Sequence, residues 1–207
     1  MKEQVVIVNY GVGNIASVVN MLRYIGAEGV YSGDADAVLN ARKIILPGIG
    51  AFGAGMDALR AQGLEAPLKE AAARGAHVLG ICLGFQMLFS ESEESPGVKG
   101  LGLIDGVVRR FQCEGQGLRV PHVGWNRVKP CQGATLFDHE RDELRYYFVH
   151  SYYADCANEN AVAATCDYGH DFVCSVEQNR LFGTQFHPEK SHRFGIDTLT
   201  RFVGLPC

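Results

Sequence analysis

The 207-residue sequence predicts an α/β fold: an open, mostly parallel sheet, helices on both of its faces, and added antiparallel strands in the C-terminal half. Two observations predict it. Short Val/Ile/Leu runs alternate with longer helical patterns in the first half, and β-rich segments follow one another in the second half. Because 47% of the residues are hydrophobic and no linker divides the chain, we expect a single domain over residues 1–207.

The first half supplies the parallel part of the sheet. Strands are predicted at Gln4–Asn9, Lys43–Leu46 and His77–Ile81, and helices at Asn14–Ile25 and Leu64–Arg74. Strands that alternate with helices run parallel, and the helices then cover the sheet on both faces.

After residue 100 the alternation of strand and helix patterns gives way to consecutive β-rich segments. Strands are predicted at Gly106–Phe111, Leu144–His150, Ala161–Asp167, Phe172–Glu177 and Leu181–Phe186, before a last helix at Ser191–Val203. The segments Ser90–Gly100 and Glu114–Leu118 are rich in Ser, Glu, Pro and Gly, which is typical of loops. Strands without helices between them favour antiparallel pairing.

Charge and cysteine usage exclude several classes of partner. The net charge of −4, with scattered Lys and Arg, argues against a nucleic-acid partner. No apolar run approaches the length of a signal or membrane segment, so we expect neither secretion nor a membrane partner. Seven cysteines without a CxxC pair indicate free thiols in a reducing compartment, and we expect a cytoplasmic protein.

The most informative segment is Gly80-Ile81-Cys82-Leu83-Gly84, where a strand-like run gives way to a helix-like run. Glycines on either side of a nucleophile are typical of a nucleophile elbow, a tight turn that exposes the nucleophile at the edge of a sheet. The helix N-terminus favours the thiolate of Cys82, and we expect a free Leu83 amide that can stabilise an oxyanion. Five other cysteines are interpreted as small buried hydrophobes, namely Cys113, Cys131, Cys156, Cys166 and Cys174.

A cysteine nucleophile needs a base, and the base needs an acceptor that orients it. His187-Pro188-Glu189 offers both after a β-like run. Alone, His187 would be interpreted as structural, but the elbow favours a catalytic role. His187, Glu189 and His192 also form an HxExxH pattern, whose spacing matches no common zinc motif, so we expect no metal.

A glycine-rich turn, Pro47-Gly48-Ile49-Gly50, directly follows a predicted central strand. Such a loop lets backbone amides approach a substrate, and one of them can act as the second oxyanion donor opposite Leu83. By itself the segment would be an ordinary turn between a strand and a helix.

A competing pattern occurs at residues 11–16, which fit GxGxxA after the first strand and precede Asp34 at about the distance of a ribose-binding acid. A dinucleotide-binding oxidoreductase is therefore the second hypothesis. Against this hypothesis, the sequence contains no Tyr-X-X-X-Lys pair for hydride chemistry of the short-chain type. The hypothesis also leaves Cys82 and His187 unexplained.

The joint pattern PGIG, GICLGFQ and TQFHPE resembles the class I, triad-type glutamine amidotransferases. The resemblance implies a flavodoxin-like sheet without a cofactor, in which Cys82 is the nucleophile, His187 the acid and base, and Glu189 its orienting partner. It further implies an oxyanion hole from the backbone of Leu83, Ile49 and Gly50. The residues that would hold the substrate L-glutamine are Gly48, Gly50, Gln86 and Ser151.

Further segments, YGVGN, PHVGWN, VHSY and HPEKS, resemble the glutaminase subunits of imidazole glycerol phosphate synthase over nearly the whole chain. This implies a heterodimer with a (β/α)8-barrel cyclase that receives ammonia for histidine biosynthesis. The residues that it would place near the cyclase are Asn14, Trp125, Asn126 and Lys190. Phe85 and Arg119 depart from the usual pattern outside the triad.

Two alternatives remain within triad chemistry: the glutaminase of a different synthase, and a peptidase or γ-glutamyl hydrolase. For the isolated chain we expect low glutaminase activity. The β-branched Ile49 is not expected to hold the productive amide orientation without the partner.

Overall fold

The computed structural model describes residues 4–113 and 117–206, so the predicted loop Glu114–Leu118 lies outside the described residues except for its last two positions. The strands are β1 Gln4–Val8, β2 Glu28–Ser32, β3 Lys43–Leu46, β4 His77–Ile81, β5 Glu91–Ser92, β6 Gly106–Arg110, β7 His122–Pro130, β8 Leu144–His150, β9 Tyr152–Cys156, β10 Val162–Asp167, β11 Asp171–Gln178 and β12 Leu181–Thr184. The helices are α1 Ile15–Tyr24, α2 Ala35–Leu39, α3 Phe52–Ala61, α4 Glu65–Ala73, α5 Leu83–Met87 and α6 His192–Gly204.

One sheet contains all of these strands. Its parallel half has the order β2-β1-β3-β4-β12, and its antiparallel half continues as β11-β10-β7-β8. β9 pairs antiparallel with β11, β6 pairs antiparallel with β9, and the short β5 runs parallel to β6. The predicted α/β class and the added antiparallel strands are confirmed. The junction is β12, which runs parallel to β4 and antiparallel to β11.

Helices cover both faces of the sheet. On one face, Val18 and Leu22 of α1 and Phe202 of α6 are buried in one apolar core. On the other face, Met56 of α3 and Leu68 of α4 belong to a second core. Within the described residues, no helix is long and apolar enough to cross a membrane.

The pairing of β4 with β12 determines where the site lies. Thr184 is opposite Ile81 at the carboxyl ends of these parallel strands, so Cys82 and the residues after Thr184 emerge at the same edge. The predicted strand Leu181–Phe186 was too long, because Gln185 and Phe186 leave the pairing with β4. The chain turns at this point toward the site.

Candidate active site

Cys82 directly follows β4 and immediately precedes α5, with φ of 53°, a value that is unusual for any residue other than glycine. Its amide donates to the carbonyl oxygen of Thr184 at 2.8 Å, which ties the turn to β12. A Cβ on Gly80 would lie 2.6 Å from the carbonyl oxygen of Gly84, and one on Gly84 would overlap that of Leu46. The turn therefore requires both glycines of the elbow, and Cys82 occupies a strained backbone between them.

His187 and Glu189 form a buried pair. Nδ1 of His187 lies 2.7 Å from Oε1 of Glu189, and the two side chains are 1% and 2% exposed. A short 3₁₀ turn, Pro188–Lys190, brings the carboxylate back to the ring. Since Nδ1 donates to the carboxylate, Nε2 is the nitrogen left for chemistry, and within the described part of the chain it has no hydrogen-bond partner.

The charge of His187 depends on opposing effects. Burial lowers its pKa, but the Cys82 thiol and the Glu189 carboxylate raise it by more, so the pKa rises from 6.5 to about 9. Both neighbours therefore favour the protonated form of the ring. This is the arrangement of a proton donor that sits beside a nucleophile.

A pocket of about 310 Å³ opens at this edge of the sheet. Its lining contains most of the predicted site residues, namely Cys82, His187, Leu83, Ile49, Gly50, Gln86 and Ser151. Glu189 lies behind His187, and Gly48 packs under the loop, where an added Cβ would lie 2.6 Å from the Tyr10 hydroxyl and 2.8 Å from Cβ of Leu83.

Glu94 also lines the pocket, and sequence reasoning missed it. Its Oε2 accepts a hydrogen bond from the Phe52 amide at 2.7 Å, which fixes the carboxylate at the start of α3. In the sequence, Glu94 stands in the run ESEES beside Glu91 and Glu93, so composition alone could not separate it from its neighbours.

The Leu83 amide is not free, and the expectation that it would be is wrong for this conformation. It donates to the carbonyl oxygen of Gly48 at 3.4 Å. The Gly48 carbonyl and the Ile49 N–H belong to one planar trans peptide and point in opposite directions, so the Ile49 N–H points away from Leu83. The Gly48 carbonyl thus occupies the donor that an oxyanion would need.

Tyr10, in the turn after β1, fixes the loop that carries Gly48. The buried Tyr10 hydroxyl donates to the carbonyl oxygen of Pro47 at 2.6 Å. Burial, together with the nearby Cys82, raises the pKa of Tyr10, so the hydroxyl stays protonated and remains a donor. The sequence suggested no role for Tyr10 in the site.

The residues predicted to face a partner lie at varied depths. Trp125 is 40% exposed and stacks on His192, with ring centroids 5.5 Å apart. Lys190 is exposed, with Nζ 5.7 Å from the centre of the Tyr147 ring. Asn14 is half-buried before α1, and the half-buried Asn126 donates from its side-chain amide to the Asp167 carbonyl at 2.8 Å.

The dinucleotide-binding pattern and the HxExxH pattern contain residues that make other contacts in the fold. Asp34, the candidate ribose-binding acid, caps α2 by accepting from the Asp36 amide at 3.3 Å. His192 stacks on Trp125, whereas His187 and Glu189 bond to each other. The carboxylate that the dinucleotide hypothesis needs is thus engaged in local structure.

Comparisons with known proteins show the family to which the chain belongs. The sequence model of the family described as "Glutamine amidotransferase class-I" matches residues 6–203. "Imidazole glycerol phosphate synthase subunit HisH 2" of Pseudomonas aeruginosa is 44% identical over 202 residues, which are 97% of this chain and 99% of the relative. The HisH subunit of Methanothermobacter thermautotrophicus is 44% identical over 201 residues, covering 97% and 98% of the two chains.

Solved structures share the fold at lower identity. PurLQS from Thermotoga maritima has a TM-score of 0.76 at 22% identity, covering 98% of both chains. A structure described as a glutamine amidotransferase has a TM-score of 0.75 at 19% identity, covering 97% of this chain and 99% of the other. At these identities the likeness bears on the fold alone.

Proposed function

Because the chain belongs to the class-I glutamine amidotransferase family, and within it to the HisH subunits of imidazole glycerol phosphate synthase, we propose that it hydrolyses glutamine through Cys82, His187 and Glu189 and supplies the ammonia to a cyclase subunit. The observation that carries the triad assignment is the buried His187–Glu189 pair beside a pocket that His187 shares with Cys82. We further propose that residues 1–207 act as one domain, in the cytoplasm.

The reaction begins with the thiolate of Cys82, whose proton resides on His187. The sulfur attacks the carboxamide carbon of glutamine, and the C=O electrons move to oxygen. His187 then protonates the nitrogen as the C–N bond breaks, so ammonia leaves and a glutamyl thioester remains. The pKa of about 9 suits this donor role at neutral pH.

The second half-reaction uses the neutral His187 that the first half leaves behind. Nε2 takes a proton from water as the oxygen attacks the thioester carbonyl, and glutamate is released as the C–S bond breaks. Glu189 holds Nδ1 at 2.7 Å throughout, which fixes the ring and stabilises its charged form.

Both half-reactions pass through an oxyanion. We propose that the Leu83 amide and an amide of the Ile49–Gly50 segment stabilise it, at about 3 kcal/mol per donor. In the present conformation the Gly48 carbonyl occupies Leu83, so the peptide between Gly48 and Ile49 must turn over before the hole can form. This predicts low glutaminase activity without the partner.

Substrate recognition follows from the pocket lining. The Glu94 carboxylate, anchored by the Phe52 amide, suits the α-ammonium group of glutamine. Gln86, Ser151 and Gly50 line the same pocket and complete the proposed binding residues, with Gly48 packed beneath the loop. A pocket of about 310 Å³ is in the range that small-molecule ligands occupy.

The proposed partner is a (β/α)8-barrel cyclase in a heterodimer. Ammonia released into water at neutral pH becomes ammonium, a poor nucleophile, so the glutaminase needs a synthase to receive it. Apolar side chains are exposed on β7, where Val123 is 56% and Trp125 is 40% exposed, and at the pocket, where Ile49 is 46% exposed. Trp is enriched among interface hot spots, and we propose that Trp125 is an anchor.

The test of the triad is Cys82→Ala, with Cys131→Ala as the matched control because Cys131 is an exposed free thiol. Glutamate release from glutamine is measured with and without the cyclase and its nucleotide. We expect no detectable turnover for Cys82→Ala, unchanged turnover for the control, and strong activation of the wild type by the loaded cyclase. Wild-type turnover by Cys82→Ala would refute the assignment.

Peptidase and γ-glutamyl hydrolase activities use the same triad. Comparing kcat/KM for glutamine with kcat/KM for γ-glutamyl dipeptides distinguishes these two activities from glutamine hydrolysis. We expect a clear preference for glutamine, because a pocket of about 310 Å³ leaves little room for the second residue of a γ-glutamyl dipeptide. A preference for the dipeptides would contradict the proposed function.

A further inference from the structure

Gln185 lies two residues before His187, and its side chain extends to the sulfur of Cys82. Its side chain is fully buried, and its Nε2 lies 3.8 Å from Sγ of Cys82, in hydrogen-bonding geometry for sulfur. We propose that Gln185 is a further catalytic residue, which donates a hydrogen bond to the Cys82 sulfur and stabilises the thiolate. This inference rests on the proposed role of Cys82 as nucleophile.

The orientation of the Gln185 amide follows from its neighbour Gln86. Nε2 of Gln86 donates to the carbonyl oxygen of Tyr152 at 3.2 Å and to Oε1 of Gln185 at 3.0 Å. A backbone carbonyl can only accept, so the NH2 group of Gln86 must face it. The oxygen of Gln185 is then the end that faces Gln86, and its NH2 group is directed to Cys82. Gln86 is a positioning residue for Gln185.

The Tyr152 carbonyl is itself held from a second direction. Nδ1 of His150 donates to it at 2.7 Å, which leaves Nε2 of His150 as the acceptor for Nδ1 of His122 at 3.0 Å. Burial lowers the pKa of His122 to about 4 and that of His150 to about 3, so both rings are neutral near pH 7. The anchor of Gln86 is therefore an uncharged, buried chain of hydrogen bonds.

A buried amide donor has a definite effect on a thiolate. Hydrogen bonds to charged groups are stronger than those between neutral groups, and the donor favours the ionised form of its acceptor. His187 provides the positive charge beside the sulfur, and Gln185 provides an uncharged dipole. Because both follow β12 and Cys82 follows its neighbour β4, the sheet pairing holds the donors and the sulfur together.

The experiment measures the rate of Cys82 alkylation by iodoacetamide against pH, without glutamine, by mass spectrometry of the peptide that contains Cys82. Gln185→Met removes the donor, Gln185→Glu keeps the size but replaces the donor with a carboxylate, and Ser175→Ala is the control. Ser175 is equally buried on β11, where it bonds to the Gly183 carbonyl. The titratable groups near Cys82, which stay the same in all variants, are His187, Tyr10, His150 and Glu94.

We expect the midpoint of the alkylation profile to rise by about one pH unit in Gln185→Met and by more in Gln185→Glu, where the carboxylate repels the thiolate. The control keeps the wild-type profile. Residual glutaminase kcat should fall about tenfold in Gln185→Met. A role in packing alone gives the opposite order, with the isosteric Glu variant closest to wild type, and that order would overturn the inference.

A further variant keeps the inference testable if the substitutions at Gln185 prevent folding. Gln86→Leu leaves Gln185 in place but removes the group that orients it, so the alkylation profile should shift in the same direction by a smaller amount. An unchanged profile in a folded Gln86→Leu protein would refute the orienting role. Because alkylation needs no glutamine turnover, these outcomes are independent of whether the proposed reaction is correct.

Discussion

Replacing Glu189 by Gln removes one negative charge from a buried pair and changes almost no volume. The carboxylate and the imidazole lie 2.7 Å apart at their nearest atoms and are almost fully excluded from solvent. The substitution therefore tests the charge of Glu189 rather than its shape. In the proposed mechanism that charge stabilises imidazolium when the thiolate forms.

The magnitude follows from the geometry. Two unit charges about 4 Å apart attract by about 4 kcal/mol at an effective dielectric constant of about 20. A Gln oxygen can still accept from Nδ1, which retains about 1 kcal/mol. The net loss of about 3 kcal/mol corresponds to a fall of about 150-fold in kcat, since each 1.4 kcal/mol is about a factor of ten. The pKa of His187 should fall in the same variant, because Glu189 is one of the groups that raise it.

The assay is steady-state glutamate release at saturating glutamine in the presence of the loaded cyclase, over a range of pH. Glu177→Gln is a control, because Glu177 accepts hydrogen bonds from Thr135 and does not line the pocket. A Glu189→Gln enzyme with kcat within twofold of wild type would show that the charge of Glu189 does not contribute to catalysis. A large loss with an unchanged pH profile would also refute the reasoning, since the charge would then have no bearing on His187.

Four further predictions concern stability, the loop, the substrate and the partner. The pKa of His187 in the folded protein is raised from 6.5 to about 9. Its contribution to the free energy of unfolding, about 3 kcal/mol, is therefore complete below pH 6.5 and is lost as pH rises through 9. Urea unfolding should show this loss in wild type but not in His187→Asn. Gly48→Ala should lower Tm and abolish activity, because its Cβ would lie 2.6 Å from the Tyr10 hydroxyl. Glu94→Gln should raise KM for glutamine more than tenfold with a smaller effect on kcat, whereas an unchanged KM would exclude its contact with the ammonium group. Trp125→Ala should weaken cyclase binding more than tenfold in calorimetry while leaving Tm unchanged.

The sequence predicted strands with a clear apolar pattern, including the edge strand β8, and missed β2, β7 and β9, which lack one. β3 and β4 are continuous apolar runs, which identify central parallel strands. β2 is half-exposed at the edge of the sheet, so it lacks such a run and was missed. The helix α3 was missed because Gly53 and Gly55 made it resemble a loop. These residues are glycine because an added Cβ would lie 2.8 Å from the Ser95 hydroxyl and 2.9 Å from Cδ2 of Leu83, respectively.

The site was predictable where its residues are close in sequence. Cys82 stands between its two glycines, and Glu189 stands two residues after His187, so local patterns identify both. Glu94 and Gln185 owe their positions to contacts across the fold, and Gln185 is 103 residues away from Cys82 in the chain. No local pattern marks such a contact, because it depends on the pairing of β12 with β4.

The orientation of the peptide between Gly48 and Ile49 is a property that no residue pattern can determine, because both orientations have the same sequence. Turning this peptide over changes ψ of Gly48 and φ of Ile49, and glycine at position 48 leaves its ψ free to change. The bond that blocks Leu83 is long, at 3.4 Å, compared with about 2.9 Å for a typical backbone hydrogen bond, so little is lost when it breaks. Ile49 itself is 46% exposed, so a partner that contacts it can bias the peptide without disturbing the core. The bond from Leu83 to Gly48 therefore favours the inactive orientation only weakly, and a partner that binds the turned-over peptide more tightly can shift the equilibrium toward the active one.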